Sequence, residues 1–316
     1  MGANQRGVST LLDTTLASPA KINLFLHITG RREDGYHLLQ SLFCPISLAD
    51  TVVLQVQTSN TPGLHIERTG GLLHIPEHKD LTVRAAQAVF DVWSQHQPQG
   101  LAVSLHVDKR IPEEAGLGGG SSNAATVLQA LNTALGKPLN AALLHNTALG
   151  LGADVPFFLT GKPAFVEGIG ENITPIDGFS GHVLVFKPPI SCPTGEIFGD
   201  PELTRDAKDV KIAVFDSASR LESGSQNPCL LSFLSANTRN VLQAVVEKRR
   251  PEWQQYFSSF KQSVAAFSPL LVRMTGSGSA MFAVFASPSQ LSSALQAVSG
   301  NPLLQAGHVF DSAILS

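Results

Sequence analysis

The most informative segment of this sequence is rich in glycine, Pro112-Glu113-Glu114-Ala115-Gly116-Leu117-Gly118-Gly119-Gly120-Ser121-Ser122-Asn123. An alternating run at residues 103–107 precedes it and predicts a strand, and an apolar periodic run follows it and predicts a helix. Its glycines remove the Cβ atoms that would keep a ligand away from the backbone, and they permit positive φ angles. Backbone amides that lead into a helix favour phosphate oxygens. The segment therefore predicts a phosphate-binding loop, with its serines and asparagine at the helix cap.

Two better-known glycine loops do not fit this segment. A Walker A loop needs Gly-Lys followed by Ser or Thr, whereas the Gly-Lys pairs at residues 136–137 and 161–162 both precede proline. The dinucleotide fingerprint needs a glycine where Ser121 stands. A second segment, Thr-Gly-Ser-Gly-Ser at residues 275–279, lies between two strand-like runs. It is either a simple β-turn or a loop that closes over the first one across a cleft between domains.

The composition indicates a folded protein without an extended charged surface. Of the 316 residues, 43% are hydrophobic and 15% are charged, which supports packed cores and argues against disorder. The net charge of −3 offers no broad cationic surface for nucleic acid or an anionic membrane. The N-terminal segment lacks the apolar core of a secretory signal, and no run of about 18 apolar residues is present. With three cysteines and no Cys-x-x-Cys pair, we expect reduced thiols in a cytoplasmic protein.

Strand-like and helix-like segments are mixed along the chain, which predicts an α+β protein. Residues 1–17 are polar and aperiodic and are interpreted as a flexible extension. One domain is predicted for residues 18–172 and a second for residues 173–316. The predicted strands lie at residues 52–56, 103–107, 183–186, 271–274, 281–285 and near 309, and the predicted helices at 81–96, 122–135, 141–149, 240–260 with a break at Pro251, and 290–298.

Motifs occur in a fixed order along the chain. The first is Ser18-Pro19-Ala20-Lys21-Ile22-Asn23-Leu24, followed by Gly35-Tyr36-His37. The middle motif, Pro-x-x-x-Gly-Leu-Gly with serines after it, is at residues 112–122, and two further motifs are at residues 152–158 and 193–198. Together they resemble the GHMP kinases (galactokinase, homoserine kinase, mevalonate kinase and phosphomevalonate kinase), and most closely the 4-diphosphocytidyl-2-C-methyl-D-erythritol kinase family. The resemblance extends from about residue 18 to near the C-terminus.

This resemblance implies a two-domain architecture. The N-terminal domain would be like domain 2 of ribosomal protein S5, the C-terminal domain ferredoxin-like, and the active site would lie in the cleft between them. ATP and Mg²⁺ would serve to phosphorylate the 2-hydroxyl of CDP-methylerythritol, a small metabolite of non-mevalonate isoprenoid biosynthesis. No nucleic-acid or membrane partner is expected, and the resemblance assigns neither metal ligands nor an oligomeric state.

The resemblance also implies roles for single residues. Lys21 and Asp154 correspond to the catalytic pair. Asp80 would lie near the adenine. The substrate pocket would be lined by Asn23, Tyr36, His37, Thr194 and Phe198, with Tyr36 and Phe198 on the two faces of the cytosine. The residues implied to wrap the ATP phosphates are Pro112, Glu113, Glu114, Ala115, Gly116, Leu117, Gly118, Gly119, Gly120, Ser121 and Ser122.

Structural alternatives stand beside these roles. An aspartate at 154, before Val155-Pro156, is also typical of a helix N-cap. Tyr36 and Phe198 are also typical of packed aromatic residues, whereas Lys21 lies in an apolar strand where burial requires a partner.

The sequence also departs from the family pattern. Glu113 and Glu114 place carboxylates where phosphate is expected, so they should face outward or face a cation. Asp80 stands where the family often has asparagine.

Two other functions fit parts of the sequence. A GHMP kinase acting on mevalonate or homoserine would share the glycine loop, but Gly35-Tyr36-His37 argues against it. A non-enzymatic RNA-binding module would share the architecture of the N-terminal block. It would need a basic surface, which the net charge of −3 does not support.

Overall fold

The computed structural model of the protein describes residues 8–71, 73–211 and 228–316. The described chain divides into two compact units, and each combines segments that are distant in the sequence. The first unit holds the described residues up to Pro19, Ala49–Ile111 and Gly119–Leu159. The second holds Ala20–Leu48, Pro112–Gly118 and the described residues from Thr160 onward. The division into domains at residues 172 and 173 stays a prediction.

Two long paired strands run through both units, β1 (Thr10–Arg31) and β2 (His37–Ser59). In the first unit, β4 (Gly100–Asp108) pairs antiparallel with the end of β2 and parallel with β3 (Leu64–Gly70). The predicted alternation holds there, because Val52, Leu54, Val56, Val103, Leu105 and Val107 are all buried. The helices of this unit are α1 (Leu81–Trp93), α2 (Gly119–Ala134), α3 (Ala141–Leu151) and α4 (Val155–Thr160).

The second unit contains a four-stranded antiparallel sheet in the order β10-β7-β9-β8. Its strands are β7 (His182–Lys187), β8 (Leu271–Met274), β9 (Met281–Phe285) and β10 (His308–Ala313). The start of β2 pairs with β5 (Ala164–Gly168), which pairs with β6 (Asn172–Pro175). The helices are α5 (Thr194–Phe198), α6 (Pro228–Asn237), α7 (Val241–Arg249), α8 (Pro251–Ala265) and α9 (Pro288–Ser299). Phe186 stacks on Phe260 in the core of this unit, with ring centroids 5.9 Å apart.

The α+β class is confirmed, and Pro251 separates two helices as predicted, because it opens α8. None of the described helices is long and apolar enough to cross a membrane. Cys44 and Cys192 are free thiols, as expected, and the side chain of Cys229 lies outside the described residues.

The prediction of a flexible extension over residues 1–17 is wrong where it can be compared. Residues 1–7 lie outside the described residues, but β1 already begins at Thr10. Thr58 at the end of β2 donates its backbone N–H to the Ser9 carbonyl at 2.9 Å and accepts the Ser9 N–H on its hydroxyl at 2.8 Å. The start of β1 was not predicted because its polar threonines break the apolar alternation, although threonine favours an extended backbone.

Candidate functional site

Residues 112–118 of the glycine-rich segment belong to the second unit. Gly116 and Gly118 each have a φ of 71°, a left-handed conformation in which other residues are strained. A Cβ atom on Gly116 would also lie 2.2 Å from the carbonyl oxygen of Thr275. Glycine is therefore required at position 116 by both conformation and space.

The glycine-serine segment at residues 275–279 and the residue after it form hydrogen bonds with this loop. The backbone N–H of Ser279 donates to the Glu114 carbonyl at 3.3 Å, and that of Ala280 donates to the Ala115 carbonyl at 3.2 Å. The Thr275 hydroxyl donates to the Gly116 carbonyl at 3.2 Å. We call residues 114–116 and 275–280 the glycine junction. The expected closure across two domains is corrected here, because both halves of the junction lie within one compact unit.

Lys21 and Asn23, on β1, lie beside this junction. The backbone N–H of Lys21 donates to the Leu117 carbonyl at 2.9 Å, and that of Asn23 donates to the Thr275 hydroxyl at 3.0 Å. The Lys21 ammonium donates to Asn23 Oδ1 at 2.6 Å and lies 4.8 Å from the centre of the Phe43 ring. Asn23 Nδ2 donates to the Ser41 hydroxyl at 2.9 Å. A lysine that is 3% exposed is thus oriented by specific partners, as its place in an apolar strand requires.

The carboxylate of Glu114 turns toward the segment before α5. It accepts a hydrogen bond from the Ser191 hydroxyl. Burial lowers the pKa of the nearby Lys187 ammonium, and the negative charge of Glu114 opposes that shift. Glu114 therefore faces a hydroxyl and a cation. A carboxylate at this loop was expected to face outward or to face a cation, and Glu114 does the latter.

The rest of the glycine-rich segment belongs to the first unit. Helix α2 begins at Gly119 rather than at the predicted Ser122, because Gly118 is the last residue of the segment with positive φ. Ser121, Ser122 and Asn123 therefore lie inside the helix instead of capping it. The Ser18 hydroxyl donates to the Ser122 hydroxyl at 2.8 Å, and within the described structure the buried Asn123 amide has no hydrogen-bond partner.

Two predicted carboxylates also lie in the first unit. Asp80 is the N-cap of α1, where Oδ1 accepts from the Thr82 N–H at 2.9 Å and Oδ2 lies 2.8 Å from the Arg68 guanidinium. Each oxygen of the Asp80 carboxylate therefore has a partner within the protein. The place of Asp80 near the adenine stays a prediction. Asp154 is partly buried and directly precedes α4. Its pairing with Lys21 likewise stays a prediction.

The residues predicted to bind the nucleobase lie near the start of β2 and on α5. The ring centroids of His37 and Phe198 are 5.6 Å apart and their planes are inclined by 52°. Tyr36 is 58% exposed, so it is not the packed core residue that the alternative required. Thr194 opens α5, and its hydroxyl lies 3.0 Å from that of Ser277. The structure brings His37 to Phe198, and the sandwich of Tyr36 and Phe198 stays a prediction.

Sequence reasoning missed Arg205, whose Nε donates to His37 Nε2 at 3.0 Å. The arginine follows α5 in an irregular polar segment, and nothing in its neighbours indicates a partner 168 positions away. We call His37, Phe198 and Arg205 the His37 cluster.

No group of three or more His, Cys, Asp or Glu side chains that could hold a metal ion is present among residues 8–71, 73–211 and 228–316.

Family comparisons agree with the order of the motifs. Residues 80–162 match the model of the GHMP kinases N terminal domain, and residues 226–302 match that of the GHMP kinases C terminal domain. A curated relative from Thiobacillus denitrificans, a 4-diphosphocytidyl-2-C-methyl-D-erythritol kinase, is 42% identical over 89% of this chain and 90% of its own length. A relative of the same name from Polynucleobacter asymbioticus is 44% identical over 85% of this chain and 83% of its own.

Solved structures give the same result. A crystal structure of 4-(cytidine 5'-diphospho)-2C-methyl-D-erythritol kinase matches with a TM-score of 0.72 and 32% identity, over 96% of this chain and 100% of that one. Homoserine kinase from Cytophaga hutchinsonii matches with a TM-score of 0.68 over 99% of this chain and 96% of that one. At 16% identity the second match is informative about the fold alone.

Proposed function

Because the chain belongs to the 4-diphosphocytidyl-2-C-methyl-D-erythritol kinase family of the GHMP kinases, we propose that it phosphorylates the 2-hydroxyl of that cytidine-diphosphate-linked substrate. The chain is an ATP-dependent small-molecule kinase. Its place would be the cytoplasm, in the non-mevalonate route to isoprenoid precursors. The observation that carries the proposal is the glycine junction with Lys21 and Asn23 beside it.

The glycine loop would bind the phosphates of ATP. Positive φ angles at Gly116 and Gly118 turn the backbone of the loop, and α2 begins directly after it. Free amides in the first turn of a helix, together with the positive end of its dipole, favour phosphate oxygens. Positioning and charge neutralisation are the main catalytic needs of phosphoryl transfer, and a rigid backbone loop supplies the first of them.

Lys21 and Asp154 would act on the acceptor alcohol. Asp154 would accept or orient the proton of the hydroxyl, and Lys21 would place positive charge beside it. The support within the second unit is that Asn23 and Phe43 fix the Lys21 ammonium, so its position is set before a ligand binds. In the first unit, Asp154 is partly buried and directly precedes α4, which supports a defined position for its carboxylate.

Mg²⁺ would be bound together with ATP. It supplies neutralisation of the phosphate charge. The protein oxygen that we propose for it is the hydroxyl of Ser121, which lies in the first turn of α2 and is only partly buried. The substrate pocket would use His37, Phe198, Tyr36, Asn23 and Thr194.

One assay tests the function. The protein is incubated with ATP, Mg²⁺ and the cytidine-diphosphate methylerythritol, with mevalonate and homoserine in parallel, and product is identified by mass. We expect phosphorylation of the first substrate alone. Turnover of mevalonate or homoserine instead would show that the proposed substrate is wrong. Binding of RNA without any turnover would show that the protein is an RNA-binding module and not an enzyme.

Asp154→Ala tests the catalytic assignment. We expect kcat to fall by about 10²–10⁴-fold with a modest change in the KM for ATP, because a positioned acid–base group contributes that much. Asp91→Ala, an exposed aspartate on α1 of the same unit, is the matched control. Near-full turnover by the Asp154 variant would remove this carboxylate from the mechanism.

A further inference from the structure

Asn240 lies between α6 and α7, and its side chain makes contacts in two directions. It is 4% exposed, and its Oδ1 atom accepts the backbone N–H of Leu242 at 3.0 Å, which makes it the N-cap of α7. Its Nδ2 atom donates to the carbonyls of Met274 at 3.0 Å and Gly276 at 2.8 Å. Among the usual capping side chains, only asparagine combines an acceptor with two N–H donors.

The orientation of the Asn240 amide is fixed by these partners. Exchanging its oxygen and nitrogen would set an oxygen against two carbonyl oxygens and an N–H group against the N–H of Leu242. All three hydrogen bonds would then be lost. The two N–H groups of the amide therefore face the end of β8.

The two carbonyls that Asn240 binds belong to the residues on either side of Thr275. Thr275 is fully buried, and its hydroxyl accepts the backbone N–H of Asn23 at 3.0 Å. The one proton of this hydroxyl is shared between the Gly116 carbonyl at 3.2 Å and Asn23 Oδ1 at 3.3 Å. Asn23 Oδ1 is also the acceptor of the Lys21 ammonium. Hydrogen bonds therefore connect Asn240 to that ammonium through two intermediate residues.

Two further contacts hold β1 close to this point. Arg273 Nη1 donates to the Leu24 carbonyl at 2.8 Å, and the backbone N–H of Leu26 donates to the Arg239 carbonyl at 3.0 Å. The backbone of β1 is therefore held by contacts other than those of the Thr275 hydroxyl. A shift of Thr275 would change its hydrogen bonds with the strand instead of moving the strand with it.

We propose that Asn240 is a positioning residue for phosphoryl transfer: its amide fixes Thr275, whose hydroxyl in turn orients the partner of the Lys21 ammonium. This proposal rests on the proposed role of Lys21. Hydrogen bonds to both neighbours of Thr275 restrain the backbone that carries its hydroxyl. The restraint matters because a displacement of about 1 Å in a positioned group can cost about 100-fold in rate.

The first experiment measures the contact without any substrate. The full-length protein is labelled with ¹⁵N-asparagine, and the backbone N–H of Asn23 is identified as the signal that Asn23→Gln lacks. Asn240→Asp retains the oxygen that caps α7 but offers no N–H group to the two carbonyls. We expect the Asn23 N–H to exchange with D₂O about five-fold faster or more in this variant, because its acceptor is no longer held. Equal exchange rates in variant and parent would overturn the proposal.

Two controls distinguish a local change from a general loss of stability. The backbone N–H of Asn301, which follows α9 in the same unit and donates to a backbone carbonyl at 3.2 Å, should exchange at the parental rate in Asn240→Asp. Asn140→Asp makes the same substitution at the N-cap of α3, and it should leave the exchange of the Asn23 N–H unchanged. An equal acceleration at Asn23 and Asn301 would overturn the proposal, because the substitution would then loosen the whole unit.

The second experiment is a double-mutant cycle with Thr275→Val, which removes the hydroxyl and keeps the shape of the side chain. We expect kcat to fall by about 10- to 100-fold in either single variant, with KM values within about three-fold of the parent, because the oriented group acts in the transition state. In the Thr275→Val background, Asn240→Asp should lower kcat by less than about three-fold more. Two effects that simply multiply would overturn the proposal, since Asn240 would then act by a route that does not include the hydroxyl.

The outcomes separate this proposal from the proposed function. Asn240→Ser also caps a helix and adds no charge, so it takes the place of Asn240→Asp if that variant does not fold, with the same expected results. An active parent together with unchanged kcat in the Asn240 variant overturns the proposal and leaves the proposed function intact. A parent that does not phosphorylate the cytidine-linked substrate overturns the proposed function, and the exchange of the Asn23 N–H still tests whether Asn240 fixes its acceptor.

Discussion

The glycine junction and the His37 cluster lie in the same compact unit but are held by different kinds of contact. In the junction, backbone N–H groups of Ser279 and Ala280 donate to backbone carbonyls of the opposite loop. In the His37 cluster, an arginine side chain donates to a histidine side chain, and an aromatic ring packs beside them. The first arrangement depends on the space around the main chain, and the second depends on which side chains are present.

This difference predicts different sensitivities. The junction should tolerate changes of side chains that point away from it and should fail when a Cβ atom is added between its two loops. The His37 cluster should tolerate small shifts of backbone and should fail when a donor or an aromatic face is removed. Three substitutions test this contrast.

Gly116→Ala should have the largest effect. The new Cβ would lie 2.2 Å from the Thr275 carbonyl oxygen at a residue whose φ is 71°, so the two loops must move apart. We expect kcat/KM to fall by about 100-fold or more, because small displacements of a positioning group cost that much. The measurement is steady-state kinetics together with a melting curve.

The matched control is Gly150→Ala, since Gly150 lies in α3 and nothing stands within 4 Å of an added Cβ there. This control should keep full activity. Near-parental kinetics in Gly116→Ala would mean that the close approach of the two loops is not needed.

Tyr36→Ala should have an intermediate effect. Stacking of a base on an aromatic ring contributes about 1–3 kcal/mol, so the KM for the cytidine-linked substrate should rise by about 5- to 150-fold. The melting temperature should not change, because the tyrosine is 58% exposed. Leu73→Ala, at an equally exposed position with 58% exposure, controls for loss of exposed apolar surface. Equal KM values in the Tyr36 variant and the parent would refute the sandwich.

Glu114→Gln should have the smallest effect. The amide still accepts from the Ser191 hydroxyl, and only an exposed negative charge is lost. We expect the KM for ATP to fall by about two- to three-fold at low salt and less at high salt, because exposed charges are screened. Glu252→Gln on α8 is the control. A change above ten-fold would show that the Glu114 carboxylate contacts the nucleotide directly.

The same contrast explains what the sequence could reveal. Gly116 was found because a backbone conformation restricts one position to one residue type, and this restriction is visible in a single sequence. Lys21 was found because a charge in an apolar strand conflicts with its surroundings. Strands such as Met281–Phe285 were found by their apolar pattern.

Other features could not be found in this way. Arg205 acts on a residue 168 positions earlier, and no local rule connects the two. Two residues fix Asn23. Strand pairing brings Ser41 to it, and Thr275 contacts it from 252 positions away in the sequence. The start of β1 was missed because its threonines interrupt the apolar pattern, although backbone pairing with β2 compensates for weak burial.

The discontinuous make-up of the second unit has a consequence for synthesis on the ribosome. This unit combines Ala20–Leu48 with segments that extend to the C-terminus, and the backbone N–H of Leu48 donates to the Ser312 hydroxyl at 2.9 Å. Its early residues must therefore wait for the end of the chain before their pairing is complete, and such long-range closure slows folding. During translation these nascent strands have unpaired edges that a chaperone would have to shield. Fragments made by cutting the chain once should not yield this unit in folded form.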